Sequence, residues 1–250
     1  MYKQIGTIAK LNLKNIKTPY FVTGIVAVTM FVQTAVYAII MANGGRVQQA
    51  SLSVGNCFWL LVIMAAIFIP AKHFWKTVNL GCKRDGFFWG SLGTYAILAG
   101  VVSLATTTIH YTFDRALIST GNFASMEAFL LDPSLIESHY VFLDVLDIFG
   151  WAARGPVFAI IQQFAFLLLL AVVVHTLTAI QDKWYGWVTD AVIAAILGVF
   201  IPIALLRQSL LWFFNLILFN SNPWLQIVSC IVLAVAIYSL NKLIFARKVI

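Results

Sequence analysis

The chain has 250 residues, 62% of them hydrophobic and only 10% charged, with a formal net charge of +7 and a mean hydropathy of +0.93. Soluble domains carry about 25% charged residues, so this chain has too little polar surface to face water, and lipid is the solvent for most of it. The cations are spread along the sequence and not gathered in one patch, so the net charge does not argue for nucleic acid and no nucleic-acid partner is expected.

At the N-terminus, Lys3, Lys10, Lys14 and Lys17 follow one another at spacings of 7, 4 and 3 residues. At about 100° per residue they share a stripe ~60° wide, with Ile5, Ile8, Ala9, Leu13 and Ile16 on the other side. That pattern predicts an interfacial amphipathic helix over residues 1–18, lysines toward water and anionic headgroups. A plain positive flank to the first span is the alternative. No small-residue cleavage pattern follows the apolar run that starts near Tyr20, so that run is expected to stay as a span and not to be removed as a signal peptide.

Six apolar segments are long enough to cross a bilayer, at about 20 residues each: 20–41, 57–74, 87–109, 157–180, 187–206 and 224–244. Between the second and third lies a short basic segment, 75–86. With both termini inside, twelve of the sixteen Lys and Arg residues fall on the cytoplasmic side, while six of the nine acids fall outside, between Asp114 and Asp147. The positive-inside bias therefore places both termini in the cytoplasm.

The extracellular connection 110–156 contains Asp132-Pro133, an N-cap followed by a first-turn proline. A short helix is expected there, with Glu137, Asp144 and Asp147 on one side among Leu135, Ile136, Tyr140, Leu143 and Leu146. The run Ser209–Phe219 is too short to cross, and fusing it to the fifth span would bury Arg207 at a cost of about 2.5–3.5 kcal/mol. Residues 209–223 are therefore read as a re-entrant segment closed by Asn220-Ser221-Asn222-Pro223. The expected fold is one all-α transmembrane domain over 1–250.

The sequence holds no Gly-x-x-x-x-Gly-Lys-Ser/Thr, no His-Glu-x-x-His and no Gly-x-Ser-x-Gly. The four histidines (His73, His110, His139 and His175) are scattered, and no cluster of Cys, His or carboxylate shows metal spacing. No catalytic residue, metal site or cofactor bound by this chain is expected. Asp190 is the one acid near a span: either a proton or cation site for a secondary transporter, or a hydrated interfacial residue beside Trp184 and Tyr185 that pairs with Lys183. The second reading is the more economical, and His175 is likewise read as a packing residue. Gln33, Thr34, Gln162 and Gln163 are candidates for a substrate path, or hydrogen bonds between helices at ~0.6 kcal/mol each. Pro70 and Pro202 are expected to bend their spans. Cys57 and Cys230, near the outer ends of their spans, are read as packing residues, with a disulfide as the alternative; Cys82 falls in the cytoplasmic segment.

This order of parts resembles the ABC-2-type permeases, the membrane subunits of ATP-binding-cassette exporters. The likeness covers nearly the whole chain: elbow helix 1–18, six spans, coupling helix 75–86 and re-entrant segment 209–223. Its most specific piece is Asn79-Leu80-Gly81-Cys82-Lys83-Arg84-Asp85-Gly86-Phe87-Phe88, similar to the family's small-residue, Gly, x, Ser-Arg, aromatic entry to the third span. Lys83 stands where a small polar residue is usual, and Asp85 where a basic or polar one is. The resemblance implies a permease in a bacterial plasma membrane that pairs with a second copy or a similar permease. It also implies docking of two ABC ATPase subunits, which hold ATP and magnesium, through Lys76, Asn79, Gly81, Lys83, Arg84 and Asp85. The substrate it suggests is hydrophobic or amphipathic, with a membrane-active peptide foremost. An ion-coupled transporter using Asp190 and a non-transporting scaffold or sensor are the competing readings.

Overall fold

A computed structural model describes residues 2–45, 49–137, 139–181 and 184–246. Among them the chain is a helical membrane protein: five helical stretches are long and apolar enough to cross a bilayer, and a sixth crossing exists if one bent helix pair counts as a span. The five are Lys17–Ala42, Val54–Asn79, Arg84–Ile118, Pro156–Ile180 and Pro223–Lys242. In chain order the helices are α1 (Tyr2–Asn15), α2 (Lys17–Ala42), α3 (Trp59–Phe68), α4 (Phe74–Asn79), α5 (Arg84–Ile109), α6 (Arg115–Ile118), α7 (Met126–Leu131), α8 (Val145–Ile148), α9 (Pro156–Ile180), α10 (Trp184–Phe200), α11 (Ala204–Phe214) and α12 (Pro223–Ala246).

Wide π turns join several of these helices. Ile69–His73 links α3 to α4 and takes up Pro70, whose missing N–H removes one rung of the ladder. A second π turn, His110–Asp114, links α5 to α6. The second span thus runs as one helical stretch to Asn79, and segment 75–86 consists of the end of α4, a turn and the start of α5.

The chain forms two compact units. The first comprises Met1–Ile16, Ile63–Ile97 and Ala165–Ile250. Here α1 buries Ile8, Ala9 and Asn12 and exposes Lys10 and Lys14, as its periodicity demands. Lys17 lies just beyond it, in α2, and Lys3 falls within the helix. Helix α1 packs on α5 at Gly90 and Gly93; a Cβ at Gly90 would stand 2.6 Å from Ile8 Cγ2. Asn12 Nδ2 donates to Thr94 Oγ1 at 3.4 Å beside this contact. Phe88 stacks on Tyr238 of α12 with ring centroids 4.0 Å apart, and the Tyr238 hydroxyl donates to the Phe88 carbonyl at 2.5 Å.

Helices α10 and α11 meet at a bend of 116°. The break falls at Ile201–Ile203, around Pro202, so the expected fifth span 187–206 is not one continuous helix. Arg207 lies on the second arm, which continues through the π turn Asn215–Phe219 and includes most of the segment 209–223. Both arms leave nearly every side chain from Ala191 to Leu205 exposed.

The second unit comprises Lys17–Val62 and Leu98–Phe164. It contains a three-stranded sheet that the all-helical expectation lacks, made of β1 (Gln49–Leu52), β2 (Phe123–Ser125) and β3 (Tyr140–Leu143), ordered β1-β3-β2 with both pairings parallel. The helix expected downstream of Asp132-Pro133 is only a 3-10 turn, Pro133–Glu137. Beyond it the aromatic and β-branched run Tyr-Val-Phe-Leu becomes β3, whose first three residues are buried. Glu137, Asp144 and Asp147 therefore do not share one helix. Phe123 stacks on Phe142 with centroids 5.3 Å apart, and these two pack with Met41 and Tyr140. Cys57, in this unit, and Cys230, in the first, are both buried free thiols.

Gly90→Ala is expected to lower the thermal stability of the detergent-solubilised protein by about 1–3 kcal/mol, because the Ile8 side chain on α1 must move to admit the methyl. Gly6→Ala, with open space at its Cβ, serves as the control in the same thermal unfolding series.

Candidate functional site

The turn between the second and third spans is built on a defined helix stop. Gly81 has φ of +84°, the left-handed conformation that suits glycine after a helix. Its N–H donates to the Val78 carbonyl at 2.9 Å, and Cys82 N–H donates to the Thr77 carbonyl at 3.2 Å. This pair of bonds is a Schellman stop, and it holds the turn in one shape. Around it Lys76, Asn79, Leu80, Gly81, Lys83 and Asp85 are exposed, while Arg84 is half-buried and engaged. Leu80 is 80% exposed, an apolar tip ringed by cations. Asp85 lies 3.7 Å from Lys242 Nζ on α12, but both are more than half exposed, so water screens the pair. Thr7, Ile8 and Leu11 of α1 join Thr77, Leu80, Gly81 and Cys82 around a cavity of about 350 Å³. The structure thus brings α1 and the turn together.

The candidate substrate-path residues are carried by α2 and α9. Thr34 Oγ1 donates to the Met30 carbonyl one turn back at 3.0 Å. Gln162 and Gln163 are fully buried. The Gln163 amide accepts from Trp59 Nε1 at 2.6 Å and donates to the Ser103 carbonyl at 3.2 Å in its best orientation. Gln33 is only partly exposed. The Thr34 and Gln163 contacts are packing hydrogen bonds. His175 is also a packing residue, with Nδ1 2.5 Å from the Tyr95 hydroxyl. Asp190 Oδ2 accepts from Gln181 Nε2 at 2.7 Å; Lys183, its expected partner, lies outside the described residues.

A second polar constellation lies in the other unit, and it corrects the expectation that the histidines and acids stay apart. The π turn places His110 and Asp114 one turn apart on one helical stretch. The parallel register pairs Leu52 with Leu143, so the next residues, Ser53 and Asp144, leave the sheet side by side. Asp144 caps α8, its Oδ1 accepting from Leu146 N–H at 2.9 Å. Its Oδ2 lies 2.7 Å from His110 Nδ1. Ser53 Oγ donates to Asp114 Oδ2 at 2.5 Å. Asp147 Oδ1 stands 3.7 Å from His110 Nε2. Burial pushes the Asp147 carboxyl up to about 6, against the downward pull of His110. His110, Asp114 and Asp144 each offer a donor atom within 4.8 Å of the others, so three carboxylates share one imidazole in a buried site.

No family model, curated protein or solved structure matches the chain. The functional reading therefore rests on its own residues.

Part of the buried cluster had a sequence signal: His110 and Asp114 are an i, i+4 pair at the end of an apolar run, a spacing that puts both on one helical face. Ser53 and Asp144 carried none, because their proximity depends on a parallel pairing across about 90 residues.

Gly81→Ala is expected to destabilise the helix stop by about 1–2 kcal/mol, since a side chain disfavours the left-handed conformation. The measurement is faster hydrogen exchange at the Gly81 and Cys82 amides, with the rest of the second span unaffected.

Proposed function

We propose that this chain is the permease subunit of an ATP-driven exporter of the ABC-2 type. The observation that carries the reading is the Schellman turn between the second and third spans, which presents Lys76, Lys83 and the exposed Leu80 as a firm, basic, partly apolar knob. A protein partner that pushes on a membrane domain needs such a rigid contact. The helix that follows the turn packs at Gly90 on Ile8 of the N-terminal helix, so displacement of the turn is carried to that helix. The chain carries no P-loop of its own, and ATP hydrolysis falls to a partner chain.

In this reading two ABC ATPase subunits, holding ATP and magnesium, dock at Lys76, Asn79, Gly81, Lys83, Arg84 and Asp85. The chain pairs with a second copy or a similar permease, for which the exposed apolar arms of α10 and α11 offer surface. The first arm of the bent pair is the fifth span, residues 209–223 on and after the second arm are the re-entrant segment, and both termini lie in the cytoplasm of a bacterial cell. The exported molecule is hydrophobic or amphipathic, with a membrane-active peptide the foremost candidate. An apolar cleft of about 440 Å³ between Phe88, Leu92, Leu168, Ile231 and Tyr238 supports such a substrate. The lysines of α1 rest toward anionic headgroups.

Purification from native membranes in mild detergent, followed by mass spectrometry, tests the reading. A stoichiometric P-loop ATPase is expected to co-purify, and to be lost on Lys83→Glu with Arg84→Glu while the permease stays folded. Absence of any ATPase under several gentle conditions would overturn it. If transport in reconstituted vesicles then depends on an ion gradient and is lost in Asp190→Asn, the chain is a secondary transporter.

A further inference from the structure

The buried cluster in the second unit is better provided with donors than a packing network requires. His110, Asp114 and Asp144 are 3%, 1% and 1% exposed. His110 Nε2 and Asp114 Oδ1 are both buried and make no hydrogen bond, although each unsatisfied buried polar atom costs about 1–3 kcal/mol. Three carboxylates gathered around one imidazole away from water repel one another unless protons or a cation intervene. These observations are independent: the convergence of donors, and two unpartnered atoms on residues more than nine-tenths buried.

We propose that His110, Asp114 and Asp144 bind a divalent transition-metal ion, zinc foremost, with the Asp147 carboxylate as the neighbouring fourth group. The chemistry of the donors selects the ion. An imidazole suits zinc and its transition-metal neighbours, whereas magnesium and calcium prefer sites made wholly of oxygen. No thiol joins the set, since Cys57 is a free thiol outside it, so a soft monovalent ion such as Cu(I) is disfavoured. A tetrahedral zinc ion with bonds of about 2.0–2.1 Å separates its donors by about 3.4 Å. The donor atoms lie within 4.8 Å of one another; His110 Nδ1 and Asp144 Oδ2, 2.7 Å apart, would exchange their hydrogen bond for the ion and open to that spacing by side-chain rotation. The two carboxylates are already held from behind: Ser53 Oγ donates to Asp114 Oδ2, and the Leu146 N–H donates to Asp144 Oδ1. Such outer bonds orient first ligands and raise metal affinity. The ion would tie the end of the third span to the sheet through ligands that are distant in sequence.

The test uses the full chain in detergent, stripped with EDTA and then titrated with zinc chloride. Elemental analysis after desalting is expected to find about one zinc per chain, with a rise in unfolding temperature that magnesium does not reproduce. Asp114→Asn and His110→Gln should each weaken zinc binding by at least about tenfold. His110→Cys keeps a ligand but changes its nature: with cobalt(II) in place of zinc it should show a thiolate-to-cobalt absorption band that the wild type lacks. That band reads the site even if the other two variants fail to fold. Three results would each overturn the proposal: no zinc retained and no thermal shift in the wild type, equal zinc binding by folded variants, or bound cobalt in His110→Cys without the thiolate band. The cluster would then be a network of shared protons.

Discussion

The parallel pairing of Gln49–Leu52 with Tyr140–Leu143 is the interaction on which the second unit depends. Its register sets Ser53 beside Asp144, and with them the two groups that meet Asp114 and His110 from outside their own helix. A slip of one residue would turn every side chain of the strand to the opposite face and take Asp144 away from the imidazole. Tyr140, Val141 and Phe142 oppose such a slip because all three are buried, and Tyr140 also stacks near Tyr37 and bonds to the Ser51 hydroxyl. Asn56 reinforces the same junction, its amide donating to the Leu143 carbonyl at 2.9 Å. A short sheet thus holds four buried polar residues in place.

The helices were legible in the sequence because their signal is local. Lipid demands long apolar runs with every backbone group paired inside the segment, and the expected 20–41, 57–74, 87–109, 157–180 and 224–244 all fall within helical stretches of the structure. The amphipathic face of α1 was equally readable from the lysine spacing, although burial of Asn12 was not: it depends on Thr94 of another helix. The sheet was illegible for the opposite reason. Strands of three or four residues carry little periodicity, and a parallel pairing leaves no hairpin turn to mark it. Tyr140 and Leu143 fit a helical side in a list of spacings, yet β-branched and aromatic neighbours made them a strand. Among the candidate site residues, Gly81 sits in a turn that interrupts the coupling helix expected over 75–86, and the Asp144–His110 contact could not be read from either residue alone.

Charge is scarce in this chain, and its placement divides the labour. Exposed cations gather at the turn between the second and third spans, where Lys76 and Lys83 face outward. Buried acids gather at the far end of the third helical stretch, where Asp114 and Asp144 face inward. The first arrangement suits a surface that a partner grips, and exposure keeps its ionisation inexpensive. The second suits an interior that must neutralise itself. The interior polar groups of α9, Gln162, Gln163 and His175, are buried, and Gln163 and His175 make packing hydrogen bonds.

The spacing of the buried cluster along the chain also orders its assembly. His110 and Asp114 are synthesised before Asp144, which lies 34 residues beyond His110, while Ser53 waits 61 residues for Asp114. Pairing of parallel strands so far apart in sequence is slow, because the loop must close before the contacts reward it. A nascent chain therefore carries an exposed histidine and aspartate at the end of its third helix until β3 emerges. For that interval the chain is only partly folded and open to mispairing.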